Sequence, residues 1–456
     1  MSEIQITQPG MADDPVMLPV EPYVSADYAR AEGEKLWPKV WQAACRVEEL
    51  KKVGDFVTYD IFEESIIVVR TGEGDAGISA HFNVCQHRGR RLTKGCGHTN
   101  QFFCPFHGWS WNIDGTNRRV LDREDFGDSL DGVDVSLPSV RVGTWGGWVW
   151  ICMDPDAEPL EAYLEPAFSM LGKFELDKMR FRWRQWLYFP CNWKTALGAF
   201  NESYHVSTSH PQLTRGHPPM AWWCRAGGRH GWHGPAGIRG AERHAKGLSD
   251  ARGEANVDPR IAVANDLQML WDTLEATTTE TFVKASKRLV DELPEGATME
   301  EVGHHLLMSA KADDAARGVI WPEIEPEHLA VCGIDWHLFP NLIVLPSLTT
   351  ALCYRARPNG TDPDSCIFEV MVLERFPEGE EPETEWVYEE DPTEEKWRLI
   401  LAQDFSNMGE VQKGMKSRGF RGARINPISE LPVSHFFRKL AEYMGEEHAP
   451  FPAKSG

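Results

Sequence analysis

Two short segments concentrate metal-ligand chemistry. Cys85-Gln86-His87-Arg88-Gly89 is followed by Cys104-Pro105-Phe106-His107-Gly108-Trp109, a Cys-x-His and a Cys-x-x-His with sixteen residues between them. Two thiolates and two imidazoles form a soft donor set that suits zinc or an iron–sulfur cluster. The order of the ligands bears on the choice. A zinc finger tends to pair cysteine with cysteine and histidine with histidine, whereas each segment here offers one of each. Two such loops can grip a diamond-shaped cluster from both sides, one iron taking both sulfurs and the other both nitrogens. The bland alternatives are a zinc knuckle and a coincidence of core residues. Cys96 and His98 form another Cys-x-His with no second half, and read as loop residues.

A second group lies further along. Pro190-Cys191-Asn192-Trp193-Lys194 precedes Asn201-Glu202-Ser203-Tyr204-His205, and His210-Pro211 follows. A helix is expected from about Trp193 to Ser207. On it positions 202 and 205 share a face, with His210 just past the end. Two imidazoles with a distant carboxylate leave coordination positions open, the donor set of ferrous iron in oxygen-activating enzymes. Read without context, His205 and His210 are equally a pair of hydrogen-bonded core histidines.

The two Cys/His segments resemble the paired boxes of Rieske domains. Asn192-Trp193-Lys194 with Glu202-x-x-His205-x₄-His210 resembles the catalytic domain of Rieske non-heme iron oxygenases, large (α) subunit, so the likeness covers nearly the whole chain. It implies an α+β protein: a small all-β Rieske [2Fe–2S] domain and a larger α+β catalytic domain with an antiparallel sheet and helices, of the helix-grip type. It implies Cys85, His87, Cys104 and His107 as cluster ligands. His205 and His210 would hold one mononuclear Fe(II), with a third ligand from a C-terminal helix. Asp404 fits that place in Leu399-Ile400-Leu401-Ala402-Gln403-Asp404-Phe405, an acid among apolar neighbours, with Gln412-x-Gly414-x-x-Ser417 after it. Glu202 stands where many members carry Asp, a carboxylate that bridges the iron site to a Rieske histidine of the next subunit. Some members, notably those acting on quaternary ammonium substrates, carry Glu there.

The resemblance further implies O₂ as co-substrate, and electrons from NAD(P)H through a separate reductase, directly or by way of a ferredoxin. It implies a ring-shaped homotrimer, with a small β subunit possible. The expected reaction on the small-molecule substrate is hydroxylation of an aromatic ring, foremost cis-dihydroxylation. The alternative is monooxygenation or demethylation of a methoxy-aromatic or quaternary ammonium compound. Arg88, Arg90, Arg91 and Lys94 form a local basic patch on an acidic chain and could steer an acidic electron donor, or simply solubilise. Trp222, Trp223, Trp232, Trp271 and Trp336 suit either a flat apolar pocket or the core.

These residues need elements to place them. Residues 1–22 read as a mobile arm and 25–41 as a helix, together a segment (1–44) packing on the catalytic domain. Residues 45–155 alternate in short strands such as 56–59, 65–69, 78–84 and 148–151. Gly72-Glu73-Gly74-Asp75-Ala76-Gly77 matches a dinucleotide-binding pattern but is followed by a strand pattern where such a site needs a helix. It reads as a hairpin turn, and no NAD or flavin site is expected. Residues 156–456 mix helices (261–292, 299–315, 396–416) with strands (335–338, 342–345, 350–357, 367–376), around an irregular excursion at 215–253 and an acidic loop at 378–395. Composition agrees: of 456 residues 42% are apolar and 25% charged, an ordinary globular balance. A net charge of −22 argues against nucleic-acid binding. No apolar run suits a membrane span and no secretory signal is evident, so a cytoplasmic location is expected. Ten scattered cysteines read as thiols or ligands rather than a disulfide framework.

Overall fold

The computed structural model describes residues 6–7, 17–214, 220–238 and 258–446. The chain divides into two compact units, one of Ala29–Tyr163 with Asn359–Thr361, the other of Met1–Tyr28, Leu164–Pro358 and Asp362–Gly456.

The smaller unit is built from antiparallel strands. A seven-stranded sheet runs in the order Gln42–Arg46, Trp148–Cys152, Ser139–Trp145, Ile78–Phe82, Glu64–Arg70, Asp55–Ile61 and Cys96–His98. Its inner strand Glu64–Arg70 buries every residue from Ser65 to Val69, so it reads as a continuous apolar run rather than an alternation. A three-stranded sheet orders Asn117–Arg119, Ser110–Asn112 and Gln101–Phe103. The glycine-rich segment 72–77 joins two antiparallel strands, as expected. Gly77 donates to the Gly74 carbonyl, and a Cβ on Gly77 would lie 2.2 Å from the Gly72 carbonyl group, so close backbone approach requires glycine. Cys96 and His98, read as loop residues, are instead an exposed edge strand paired with Asp55–Val57, and His98 Nδ1 lies 2.9 Å from Asp55 Oδ1. The strand expected over 78–84 stops at Phe82, because Asn83 turns the chain toward the first Cys/His segment.

In the larger unit a nine-stranded sheet runs Ile6–Thr7, Met220–Gly227, His230–Ile238, Asp335–Leu338, Leu342–Pro346, Thr350–Asn359, Asp362–Glu374, Arg180–Phe189 and Val387–Tyr388. The last pair is parallel, so the expected antiparallel sheet acquires a parallel edge out of the acidic loop. Part of the expected irregular excursion is the hairpin Met220–Gly227/His230–Ile238, while 215–219 and 239–253 lie outside the described residues. Of the expected arm, Ile6–Thr7 pairs with Ala226–Gly227 and Met17–Leu18 with Ala423–Arg424. The N-terminal helix is Ala26–Lys35, followed by a short 3-10 turn at Trp37–Lys39 that contains Pro38.

Two expected helices are split into separate elements, each for a local reason. The stretch 261–292 divides into Pro259–Thr273 and Glu280–Glu292, because Glu275 takes φ 53° and Thr279 caps the second piece by accepting from Phe282 N–H at 3.3 Å. The stretch 193–207 divides into Trp193–Ala199 and Val206–Ser209. Asn192 opens the first piece, its Oδ1 accepting from Lys194 N–H at 3.1 Å. The break falls where the Glu202 carboxylate captures the backbone N–H groups of Tyr204 and His205, donors that a continuing helix would give to carbonyls. The C-terminal helix Glu394–Met415 starts two residues earlier than expected and carries a break at Arg398, φ 65°. Among the described residues no helix is long and apolar enough to cross a membrane.

Candidate metal centres

The two Cys/His loops of the smaller unit are closed in the same way. Gly89 N–H donates to the Cys85 carbonyl and Cys85 N–H to the Arg90 carbonyl, both at 2.9 Å. In the other loop Gly108 N–H donates to Cys104 at 2.9 Å and Cys104 N–H to Trp109 at 2.8 Å. Both glycines sit at φ 75°, a conformation L-residues rarely adopt, which explains the glycine that ends each Cys/His pattern. Asn83 fixes the neck of the first loop: its Oδ1 accepts from Leu92 and Thr93 N–H, and its Nδ2 donates to Ser65 Oγ and the Thr93 carbonyl.

The loops bring their ligands together. The His87 and His107 rings stand 4.4 Å apart, and Trp109 stacks on His87 at 5.1 Å and 9°. Cys85 and Cys104 are buried in an apolar cluster with Phe102, Trp109 and Trp111. Burial pushes the Cys85 thiol up, and adjacent Cys104 adds to the effect. Among the described residues the Nδ1 atoms of His87 and His107 are buried without a hydrogen-bond partner. Two imidazole nitrogens left unpaired beside two buried thiols would be costly in a protein that bound nothing there. They fit a cluster held by two sulfurs and two nitrogens. Arg88, Arg90, Arg91 and Lys94 are exposed; Arg88 lies over the Phe106 ring at 5.2 Å, and Arg91 is 3.7 Å from Asp60.

The larger unit gathers His205, His210 and Asp404, whose ligand atoms all lie within 4.8 Å of one another. Asp404 Oδ1 is 2.9 Å from His210 Nε2 and 3.6 Å from His205 Nε2. Asp404 is buried on the face of Glu394–Met415 that also buries Ile400, Leu401 and Phe405. Both imidazoles turn Nε2 toward Asp404 and are held from behind at Nδ1. Glu202 Oε1 lies 2.6 Å from His205 Nδ1, and Gln403 Oε1 lies 2.9 Å from His210 Nδ1. Gln212 Nε2 donates to the same Gln403 oxygen at 2.8 Å. Burial opposes a charge on His205, but the hydrogen bond and charge of Glu202, with Asp404, raise its pKa above the ordinary value. Three donors on one side, each imidazole oriented by a second partner, match a two-histidine, one-carboxylate iron site. Glu202 reaches His205 as expected, though across a turn rather than along a helix face. Gln403 was missed by sequence reasoning; its place directly before Asp404 was the available signal.

Beside the triad opens a cavity of about 860 Å³, lined by residues that include Phe200, Leu213, Trp222, Leu352 and Tyr354. Trp222 is, among the described residues, the one tryptophan of its lining. Trp232 and Trp336 stack at 4.4 Å and 3°, fully buried, so those two belong to the core.

Comparison with known proteins agrees with this architecture. Residues 170–446 match the ring hydroxylating alpha subunit (catalytic domain) family, and residues 40–125 match the Rieske [2Fe-2S] domain. The chain belongs to the family of Rieske-type ring-hydroxylating oxygenase α subunits. The carnitine monooxygenase oxygenase subunit of Escherichia coli (strain K12) is 30% identical over 197 residues, 42% of this chain and 52% of that one. The chlorobenzene dioxygenase subunit alpha of Cupriavidus sp. (strain PS12) is 30% identical over 199 residues, 41% of this chain and 42% of that one. The chain thus spans about half the length of the curated relatives it matches. Among solved structures, naphthalene 1,2-dioxygenase from Rhodococcus sp. bound to indole superposes with a TM-score of 0.60 at 17% identity, covering 95% of each chain. The quaternary ammonium Rieske monooxygenase CntA with L-carnitine gives 0.58 at 19%, covering 94% of this chain and 95% of that one. At such identities the likeness shows the fold.

Proposed function

We propose that this chain is the terminal oxygenase component of a multicomponent system, hydroxylating a small molecule with O₂. Cys85, His87, Cys104 and His107 would hold a [2Fe–2S] cluster; His205, His210 and Asp404 would hold mononuclear Fe(II). The observation that carries the reading is the triad: three convergent donors at the wall of an 860 Å³ cavity, with each imidazole fixed at its far nitrogen. Bound there, iron would supply O₂ activation, and the cluster would supply electrons singly. The chain's own side chains do the rest. Glu202 and Gln403 keep the Nδ1 protons of His205 and His210 and so present Nε2 as the donor atom. Phe200, Leu352 and Tyr354 exclude water and orient an apolar substrate body.

Electrons would arrive from NAD(P)H through a separate reductase, directly or through a ferredoxin, with Arg88, Arg90 and Lys94 as a steering patch. The working assembly is a homotrimer in which the Rieske unit of one subunit serves the iron of the next, with Glu202 as the carboxylate between them. Hydroxylation of an aromatic ring, foremost cis-dihydroxylation, is the first reading of the reaction. Monooxygenation of a nitrogen-bearing substrate is the second. One observation favours it: the cavity lining carries Glu202, Asp335 and Asp404 but, among the described residues, no lysine or arginine.

The test is substrate-dependent O₂ uptake by the purified, iron-loaded protein with a surrogate reductase and NAD(P)H, with ¹⁸O₂ to count oxygen atoms in the product. Labelled product is expected, one atom for monooxygenation and two for dioxygenation. An intact cluster spectrum with no product oxygenation across aromatic acids, polycyclic hydrocarbons, methoxy-aromatics and amines would overturn the assignment.

A further inference from the structure

We infer that Asp335, with His233 beside it, is a substrate-positioning pair in the cavity wall that takes a protonated amine. The inference rests on the reading of this cavity as the substrate site.

The pair is placed by strand register. His233 and Asp335 are Cα partners on neighbouring antiparallel strands, so their side chains share one face of the sheet. The adjacent partners, Trp232 and Trp336, take the opposite face, where their indole N–H groups donate to the Val331 and Cys332 carbonyls. Both His233 and Asp335 line the cavity, at 4% and 6% exposure. They do not satisfy one another: His233 Nε2 and Asp335 Oδ2 are 3.7 Å apart, beyond a hydrogen bond. Among the described residues Asp335 Oδ1 and His233 Nδ1 are buried with no hydrogen-bond partner. Leaving such atoms unpaired is costly, so the pair is arranged for an occupant of the cavity.

The occupant's chemistry follows from the surrounding charges. The described lining offers no lysine or arginine, while Glu202 and Asp404 are further carboxyl groups of the same cavity. A carboxylate ligand would find no lysine or arginine in that lining to pair with. An ammonium group would donate N–H bonds to Asp335 Oδ1 and set a positive charge against it, and Trp222 and Tyr354 add aromatic faces that attract cations. Without such a ligand, burial and the Glu202 charge hold the Asp335 carboxyl well above the usual carboxylate range. Burial, with the nearby charge of His205, depresses His233 to about 4. An arriving cation favours the ionised form of Asp335.

The experiment is calorimetric binding to the iron-loaded protein, without reductase or O₂, using benzylamine, its neutral counterpart ethylbenzene, and phenylacetate. Binding read this way stands whether or not the oxygenase reading does. Benzylamine is expected to bind at least about tenfold more tightly than either of the others. Asp335→Asn should remove about tenfold of that affinity and leave ethylbenzene within about twofold. His233→Gln is a second variant at the same pair, and should weaken benzylamine selectively too. Cluster spectrum and iron content report that each variant is folded. In turnover, Asp335→Asn should raise KM for the amine more than it lowers kcat. Equal affinities for the three probes, tighter binding of phenylacetate, or equal losses for amine and hydrocarbon would overturn the pair's role and leave it as a water site.

Discussion

The two candidate metal centres use histidine in opposite senses. In the smaller unit the Nδ1 atoms of His87 and His107 are buried and, among the described residues, unpaired, and backbone turns closed by Gly89 and Gly108 hold the loops. In the larger unit Nδ1 is the supported nitrogen, tied to Glu202 or Gln403, and Nε2 points inward. One cage is rigid because its backbone is closed locally. The other joins His205 and His210 to Gln403 and Asp404, nearly two hundred residues further along the chain. A centre that stores an electron without rearranging suits the first construction. A centre that must accept exchangeable ligands suits the second, whose supports tune the donors without occupying the open side.

The largest test of this contrast is Cys104→Ser. Because metal binding and folding are coupled in such a cage, the variant should lose the reddish-brown chromophore and melt the smaller unit at lower temperature. A normal Rieske spectrum in it would break the comparison. Next, Asp404→Ala should remove the mononuclear iron and turnover while the cluster spectrum stays intact, taking iron from about three to about two per chain. Full activity would place the third ligand elsewhere. Gln403→Ala should act more gently, weakening iron affinity about 10–100-fold with no effect on the cluster, as measured by competition with a chelator. Glu202→Gln should leave iron content near that of the wild type and slow cluster oxidation in a single turnover.

The smallest effect comes from charges outside both cages. Glu369 is buried, its Oε2 2.6 Å from Arg355 Nε and its Oε1 3.2 Å from an Arg357 guanidinium nitrogen. Burial pushes its carboxyl up, but the two arginines outweigh this and lower it from 4.5 to about 2. A depressed carboxylate adds stability that is present above pH 4.5 and is lost as pH falls toward 2. The larger unit's melting temperature should fall modestly across that window. In Glu369→Gln that fall should flatten, whereas an unchanged slope would exclude the cluster as its source.

How much of this was legible in the sequence follows the same contrast. Each Cys/His box closes its own turn within five residues, so spacing alone brought its ligands within view. The mononuclear site needed a tertiary arrangement. Glu202 and His205 were expected along one helix, yet the chain leaves the helix at Ala199, because Glu202 takes the N–H groups of Tyr204 and His205. Asn83 carries no pattern and Gln403 only its place before Asp404: each acts through partners fixed by the fold, Ser65 and Thr93 for Asn83, Gln212 and His210 for Gln403. The hairpin 220–238 was read as irregular because its glycines and histidines mask a strand alternation that becomes plain once Trp232 and Trp336 are seen stacked.

That alternation also bears on how chains of this kind can diverge. A one-residue insertion or deletion in either strand would exchange the two faces, driving Asp335 or His233 into the core and an indole into the cavity. Such a change injures the fold and the pocket together, so lineages descending from this sequence should keep the length of these strands and vary their chemistry by point substitution. Positions 233 and 335 are then where ligand preference can drift at little structural risk, while 232 and 336 should stay large and flat.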